Sequence, residues 1–425
     1  MSSYSRIESM LKRHIAPGIE VAPLSDLVEK IIDYRGISPN KSESGIPLIT
    51  AKNVRGGFLD FSDTEYIPEK EYESWMSRGL PTPGDLLFTT EAPLGNVAIF
   101  PEGRYALAQR VVCIKPKKGV MNSEFLKNYI MAQLGSHQLY LRSSGSTAQG
   151  IKVSELRKVF VPILPYEIQE RFACQASFWD RAIDLTEKLL AEKMQFRKGL
   201  MQQLLTGKRR LPGFGKQASA GKRPDDWTEV PLSELFNPVR RKNRKGVTRV
   251  LTASGEHGLV DQGTYFNRAV AGESLAGYFH LRQGEFAYNR SSMNGYPYGA
   301  IKRLDEHDEG VLSTLYICFA PASKKCCSDF YKHLFEAGVI NKLLRNIVQV
   351  GARAHGLLNV SLHNFFSVRV PCPPIYEQEQ DASFLNRVDK EILLLHAKLD
   401  ALKDQKKGLM QQLLTGKKRV TTCAT

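Results

Sequence analysis

Residues 198–210 read Lys-Gly-Leu-Met-Gln-Gln-Leu-Leu-Thr-Gly-Lys-Arg-Arg, and residues 407–419 read Lys-Gly-Leu-Met-Gln-Gln-Leu-Leu-Thr-Gly-Lys-Lys-Arg. The two stretches lie 209 residues apart in a chain of 425, so the sequence is an internal duplication. Each copy has the pattern of a helix end. Leu200 and Leu204, and likewise Leu409 and Leu413, fall at i, i+4 on one face. Gly207 and Gly416 then stand where a helix favours a left-handed terminating residue. The cations that follow, Lys208–Arg210 and Lys417–Arg419, suit the negative end of the helix dipole. Each half is therefore expected to close with the same helix.

The duplication extends upstream. Pro23-Leu24-Ser25-Asp26-Leu27 has its counterpart in Pro231-Leu232-Ser233-Glu234-Leu235, and the turn-and-strand Pro83–Phe88 has its counterpart in Gln283–Tyr288. Helical stretches are expected at Asn122–Leu141 and Ser328–Val348. Each is followed by a polar glycine loop (143–150 and 351–356) and a strand before proline (159–162 and 368–371). The expected organisation is an N-terminal arm (1–22), a first globular unit (23–164), a long helix (165–210), a linker (211–226), a second unit (227–373), a second long helix (374–419) and a tail (420–425). Both units read as α+β. Phe178, Ala182, Leu185, Leu189, Phe196 and Leu200 in one helix, and Val388, Ile392, Leu395, Leu399, Leu402, Leu409 and Leu413 in the other, follow coiled-coil spacing. Two such stripes favour an antiparallel pair of helices that spaces the units.

Composition bounds the function. With 59 Lys and Arg against 44 Asp and Glu, the chain carries a net charge of +15, which suits a polyanionic partner. The seven cysteines are odd in number and contain no Cys-x-x-Cys, as in a reducing, cytoplasmic protein. No segment reads as a membrane span. Walker-type, His-Glu-x-x-His and zinc-type spacings are missing, so no metal or catalytic residue is assigned. Cys372-Pro373-Pro374 reads as a strand–helix turn.

Recognition chemistry is concentrated in loops, and the candidate DNA-binding residues come in matched groups. Lys52, Asn53 and Arg55 follow a strand in the first unit. Thr89 and Thr90 end the strand after Gly84, where Asn289, Arg290 and Ser291 end the strand after Gly284. Ser143, Ser146 and Gln149 lie in one glycine loop, Arg353 and His355 in the other. Arg240, Arg241 and Lys242 open a basic run that reads equally as a solvated loop or a phosphate contact. Arg and Asn can bind base edges bidentately, so these loops are placed to read sequence.

The layout of unit, helix, unit, helix and the repeated block resemble the specificity subunit of Type I restriction–modification enzymes. The resemblance implies two target recognition domains that read a bipartite double-stranded DNA site, separated by an antiparallel coiled coil. It implies no catalysis by this chain. The partners it implies are two methyltransferase subunits and restriction–translocase subunits, which bring S-adenosylmethionine, Mg and ATP, with Leu200, Leu204, Leu409 and Leu413 in a subunit interface. The competing reading is a stand-alone DNA-binding regulator or architectural protein, which leaves the repeated helix ends without a partner.

Overall fold

The computed structural model describes all residues except 1–10, 12, 35, 37, 146–148, 216–223, 256, 267–273, 292–295, 349–357 and 419–425. The chain divides into two units, residues 1–187 with 397–425 and residues 188–396. Two helices run far longer than any other element, Tyr166–Leu204 and Ile375–Leu414, close to the expected spans. Each unit contains part of both.

The first unit is built on a four-stranded antiparallel sheet in the order Val28–Asp33, Val111–Pro116, Leu86–Thr89, Val97–Ile99. Successive side chains of a strand point to opposite faces, and here both faces are covered. Leu86 and Phe88 join the core beneath the helices, while Leu87 joins the core under a three-stranded sheet that contains Ile46–Ile49. The second unit repeats the arrangement in the order Phe236–Pro238, Tyr316–Pro321, Phe286–Asn289, Ala300–Arg303. Phe286 and Tyr288 face one core, Ala287 the other. Two aligned sets of alternating positions thus produce the same sheet in both halves.

The stretches expected as single helices each break in two. Ser123–Met131 is followed by Gln133–Arg142, with Ala132 extended between them. Gly135 permits the tight return, since a Cβ there would stand 2.2 Å from the Tyr129 carbonyl oxygen. In the second unit Ser328–Glu336 and Asn341–Ile347 are parted by Gly338 at φ +69°.

One buried glutamine anchors the start of each long helix. The Gln169 oxygen accepts from the Asn122 N–H (2.8 Å), and its amide donates to the carbonyls of Val120 (2.9 Å) and Leu164 (2.8 Å). Gln378 does the same with Cys327 (2.9 Å), Lys325 (2.9 Å) and Pro373 (2.8 Å). Each glutamine ties the long helix to the turn before a short helix and to the strand–helix turn. The Cys372–Pro374 turn is as expected, joining strand Arg369–Cys372 to the helix.

The long helices span from one core to the next, as their length leads one to expect. Leu200, Met201, Leu204 and Leu205 complete the core of the second unit, whereas Met410, Leu413 and Leu414 complete that of the first. A helix of 39 residues is about 58 Å long at ~1.5 Å per residue, so its far end cannot return to the domain it left. One expectation about the long helices, the phase of the first, is corrected. Phe178, Leu185, Leu189 and Phe196, read as the inward stripe, are exposed by 61%, 55%, 44% and 51%. The buried and half-buried face runs Phe172, Ala176, Trp179, Ile183, Thr186, Leu190, Lys193, Arg197, Leu200, Leu204. That face has the alternating 4/3 spacing, but Thr186, Lys193 and Arg197 disguise it. The two helix segments within each unit are joined by ion pairs that run antiparallel. In the first unit Lys406 binds Asp180 and Lys403 binds Glu187 (2.7 Å). In the second, Arg197 binds Asp389 and Lys193 binds Glu391 (2.6 Å).

Both helices end as the sequence requires. Gly207 (φ +72°) and Gly416 (φ +66°) are left-handed, and the N–H groups of Arg209 and Lys418 return to the carbonyls of Gln203 and Gln412. Arg210 is set apart from the exposed Lys208 and Arg209. It is buried, with its guanidinium on Glu377 (2.6 Å) and Asp226 (2.7 Å), while the Trp227 indole donates to Glu377 (3.1 Å). These carboxylates hold its charge firmly in place despite burial.

Candidate nucleic-acid interface

In each unit the central strand ends beside the exit of the glycine loop. The Thr90 carbonyl accepts from the Ile151 N–H (2.9 Å), and the Arg290 carbonyl accepts from the Leu358 N–H (2.7 Å). Positions about 60 to 70 residues apart in sequence are thereby brought together once in each unit. In the first unit Ser144 and Gly150 exchange two backbone hydrogen bonds of 2.9 Å, which closes the loop at its base. Glu91 pairs with Gly150 and carries an ion pair to Arg110 (2.9 Å). Gln149 is exposed, and the Ser143 hydroxyl donates to the Tyr140 carbonyl (2.7 Å).

Several expected reading residues are structural. Thr89 and Thr90 are fully buried. The Thr89 hydroxyl bonds the Pro93 carbonyl (2.6 Å) and the Asn96 N–H (2.9 Å), and that of Thr90 the Arg110 carbonyl (3.3 Å). Asn53 is buried too. Its oxygen accepts from the Thr50 N–H (2.9 Å), and its amide donates to the carbonyls of Asp60 and Asp63 (2.9 Å each). A side chain whose donors and acceptors are all occupied inside the chain cannot read a base edge. The Arg290 guanidinium reaches the carbonyls of Leu315 (2.7 Å), Val360 (3.4 Å) and Thr314 (3.5 Å), so it fixes the ends of two loops. Leu200 and Leu204 are buried in the second unit's core and Leu413 in the first's, against which Leu409 packs, so these leucines face their own chain rather than another subunit.

Other candidates face outward. Lys52 and Arg55 flank Asn53 on the surface, with Arg55 on Asp60 (3.3 Å) and Lys52 near Asp63 (3.7 Å). Asn289 and Ser291 are half-buried at the end of their strand. Arg240 is exposed. Arg241 pairs with Glu285 (2.6 Å), and Lys242 lies over the Phe279 ring at 4.3 Å. Ser146, Arg353 and His355 lie outside the described residues.

Sequence reasoning missed the outward face of the repeat. Lys198, Gln202, Gln203, Lys208 and Arg209 are exposed in one copy, and Lys407, Gln411, Gln412, Lys417 and Lys418 in the other. The signal was available, because positions with no packing role are nearly identical in both copies. Among the described residues no group of three His, Cys, Asp or Glu is placed to hold a metal ion, and no helix is long and apolar enough to cross a membrane.

Comparison with known proteins agrees with this construction. The model of the Type I restriction modification DNA specificity domain matches twice, at residues 18–192 and 224–404. A Methanocaldococcus jannaschii protein named for the type I restriction enzyme MjaX specificity subunit is 22% identical over 95% of this chain and 94% of its own length. The MjaVIII specificity subunit of the same organism is 27% identical over 72% of this chain and 75% of its own. In fold, the S subunit of a type I restriction–modification system from M. genitalium superposes with a TM-score of 0.54 at 12% identity, over 94% of this chain and 97% of that one. A chain from another type I system superposes at 0.55 with 14% identity, over 94% and 98%. With both matches lying on the two repeated units, this chain belongs to the Type I restriction modification DNA specificity family.

Proposed function

We propose that the chain recognises a double-stranded DNA target in two halves, one per unit, and holds the subunits that modify and cut DNA. The observation that carries this reading is the repetition of one construction. The same sheet order, the same strand-end-to-loop hydrogen bond and one specificity-domain match occur in each half. The chain itself neither methylates nor cuts. S-adenosylmethionine, Mg and ATP act on the partner subunits, and the complex works in the cytoplasm.

The two long helices form an antiparallel coiled coil that sets the distance between the half-sites. The alternating inward face and the ion pairs within each unit support it. Two methyltransferase subunits dock on the chain, with restriction–translocase subunits joining them. The number two rests on the two copies of the exposed repeat face, and the uncovered apolar side chains of Phe178, Leu185, Leu189 and Phe196 offer further area.

Co-purification tests the assembly: two modification subunits per chain are expected, and none would overturn it. The ruler is tested by one added heptad after Leu189 and another after Leu399. This adds at most ~10.5 Å of helix at ~1.5 Å per residue. Mapping of methylated adenines should show the spacer between half-sites longer by up to about three base pairs at ~3.4 Å each, with the bases read unchanged. An unchanged spacer in an active complex would reject the ruler.

A further inference from the structure

The basic run of the second unit is a built element rather than a solvated tail. Residues 240–249 contain six cations and no acid. One edge of this run is stitched to the segment 277–280. The His280 N–H donates to the Arg241 carbonyl (2.8 Å), the Asn243 N–H to the Tyr278 carbonyl (3.1 Å), and the Lys242 ammonium to the Gly277 carbonyl (2.8 Å). The far end is held as well, since the Arg249 carbonyl accepts from the Val311 N–H (2.9 Å).

Between these anchors stands one buried polar side chain, Asn243, 6% exposed. Its amide donates to the Val247 carbonyl (2.8 Å), and its oxygen accepts from the Val247 N–H (2.9 Å). That pair of bonds closes a short loop whose outer residues are Arg244 and Lys245. Arg240, Arg244, Lys245 and Arg249 are all exposed, and among the described residues none of the four is ion-paired. Like charges crowded on a loop repel one another. Their display on a braced loop with no acidic partner suits a polyanion that supplies the missing charge.

The geometry points to this loop as the phosphate-contacting clamp of the second unit, with Arg244 and Lys245 on the DNA backbone and Asn243 as the residue that positions them. The inference rests on the DNA-reading function proposed above and adds a division of labour. These cations supply affinity without sequence information, while the strand-end and glycine-loop region supplies the reading. In the first unit the cations flanking the buried Asn53 face Asp60 and Asp63 instead.

The test uses the full chain assembled with its modification subunits, binding labelled target duplex and random duplex over a range of salt. For Arg244→Ala/Lys245→Ala, two lost phosphate contacts should make the slope of log K against log salt shallower by about 1.8, at ~0.9 per contact. The methylated sequence should stay the same. For Asn243→Ala the cations remain but the loop is loosened, so affinity should fall several-fold while the slope stays near that of the parent. A parental slope in the double variant overturns the phosphate assignment, and so does a change in the bases recognised. Loss of the modification subunits from the double variant would mean that the loop meets a protein instead. Parental affinity in Asn243→Ala would overturn its positioning role. Should the unaltered complex fail to distinguish target from random duplex, it is the DNA-reading function that falls.

Discussion

Arg197 grips Asp389 through two guanidinium nitrogens, one of them at 3.2 Å from the second carboxylate oxygen. The same positions of the duplication, each shifted by 209 residues, are linked in the first unit by Lys406 and Asp180. The pair in the second unit is elaborated further, since Arg197 also holds Glu336 at 3.0 Å. Burial works against the charge of Arg197, but the two carboxylates outweigh it and raise its pKa.

Arg197→Ala should therefore leave Asp389 half-buried without its cation and Glu336 with only the more distant Lys302 (3.7 Å). The expected loss is about 1–3 kcal/mol of stability, below that of a fully buried pair because both partners retain some exposure. Arg197→Lys places at this position the residue that position 406 carries, and should keep most of the stability. Thermal unfolding of the two variants decides it; equal loss in both would show that the planar fork, rather than the charge, is what matters.

The glutamine clamps give a paired prediction. Gln169→Ala and Gln378→Ala each strand buried backbone groups, at a cost of roughly 1–3 kcal/mol. Hydrogen exchange should show the first loosening the turn at 120–122 and the second the turn at 325–327, each within its own unit. Loosening of both turns by one substitution would contradict this assignment.

Asp381 sets a pH dependence. Both its carboxylate oxygens are buried without a hydrogen-bond partner. Burial first, and the charge of Glu377 second, push its pKa up to about 7, against the pull of Arg210. A folded pKa above the unfolded one means that the folded state binds the proton more tightly. This contribution to stability is full below about pH 4 and is lost as pH rises to about 7. Asp381→Asn should remove that slope and stabilise the protein at pH 8, by no more than about 4 kcal/mol for a shift of about 3 units at 1.36 each. Denaturant titrations at pH 5 and pH 8 measure it; an unaltered pH profile would show that Asp381 does not titrate in this range.

Arg290→Ala should release the loop ends that it ties, seen as faster hydrogen exchange at 313–315 and 358–360. Recognition should relax at one half-site only, through the loss of loop order. Arg290→Lys should not rescue it, because one ammonium cannot span the carbonyls of Thr314, Leu315 and Val360. Uniform weakening on every DNA sequence with both loops still protected would place Arg290 on a phosphate instead.

The duplication, the strands after Gly84 and Gly284, the extents of the long helices and the glycine ends at Gly207 and Gly416 were all written in local sequence. Each depends on spacing or on backbone conformation that a residue imposes on itself and its neighbours. Burial was not legible in that way. Asn53, Thr89 and Thr90 have the composition of reading loops, but turns fold over them and use up their donors and acceptors. The inward face of the first long helix was hidden because Thr186, Lys193 and Arg197 occupy it, while Phe178, Leu185, Leu189 and Phe196 point away. A polar residue is accepted inside when another part of the chain brings its partner, as Asp389 does for Arg197 and Glu377 for Arg210. Those partners are more than 160 residues distant, so no window of sequence contains both halves of the interaction. The sequence by itself determined that the chain is duplicated, where its two long helices run and how they end. The tertiary structure alone decided which side chains are enclosed, because enclosure depends on what distant segments bring.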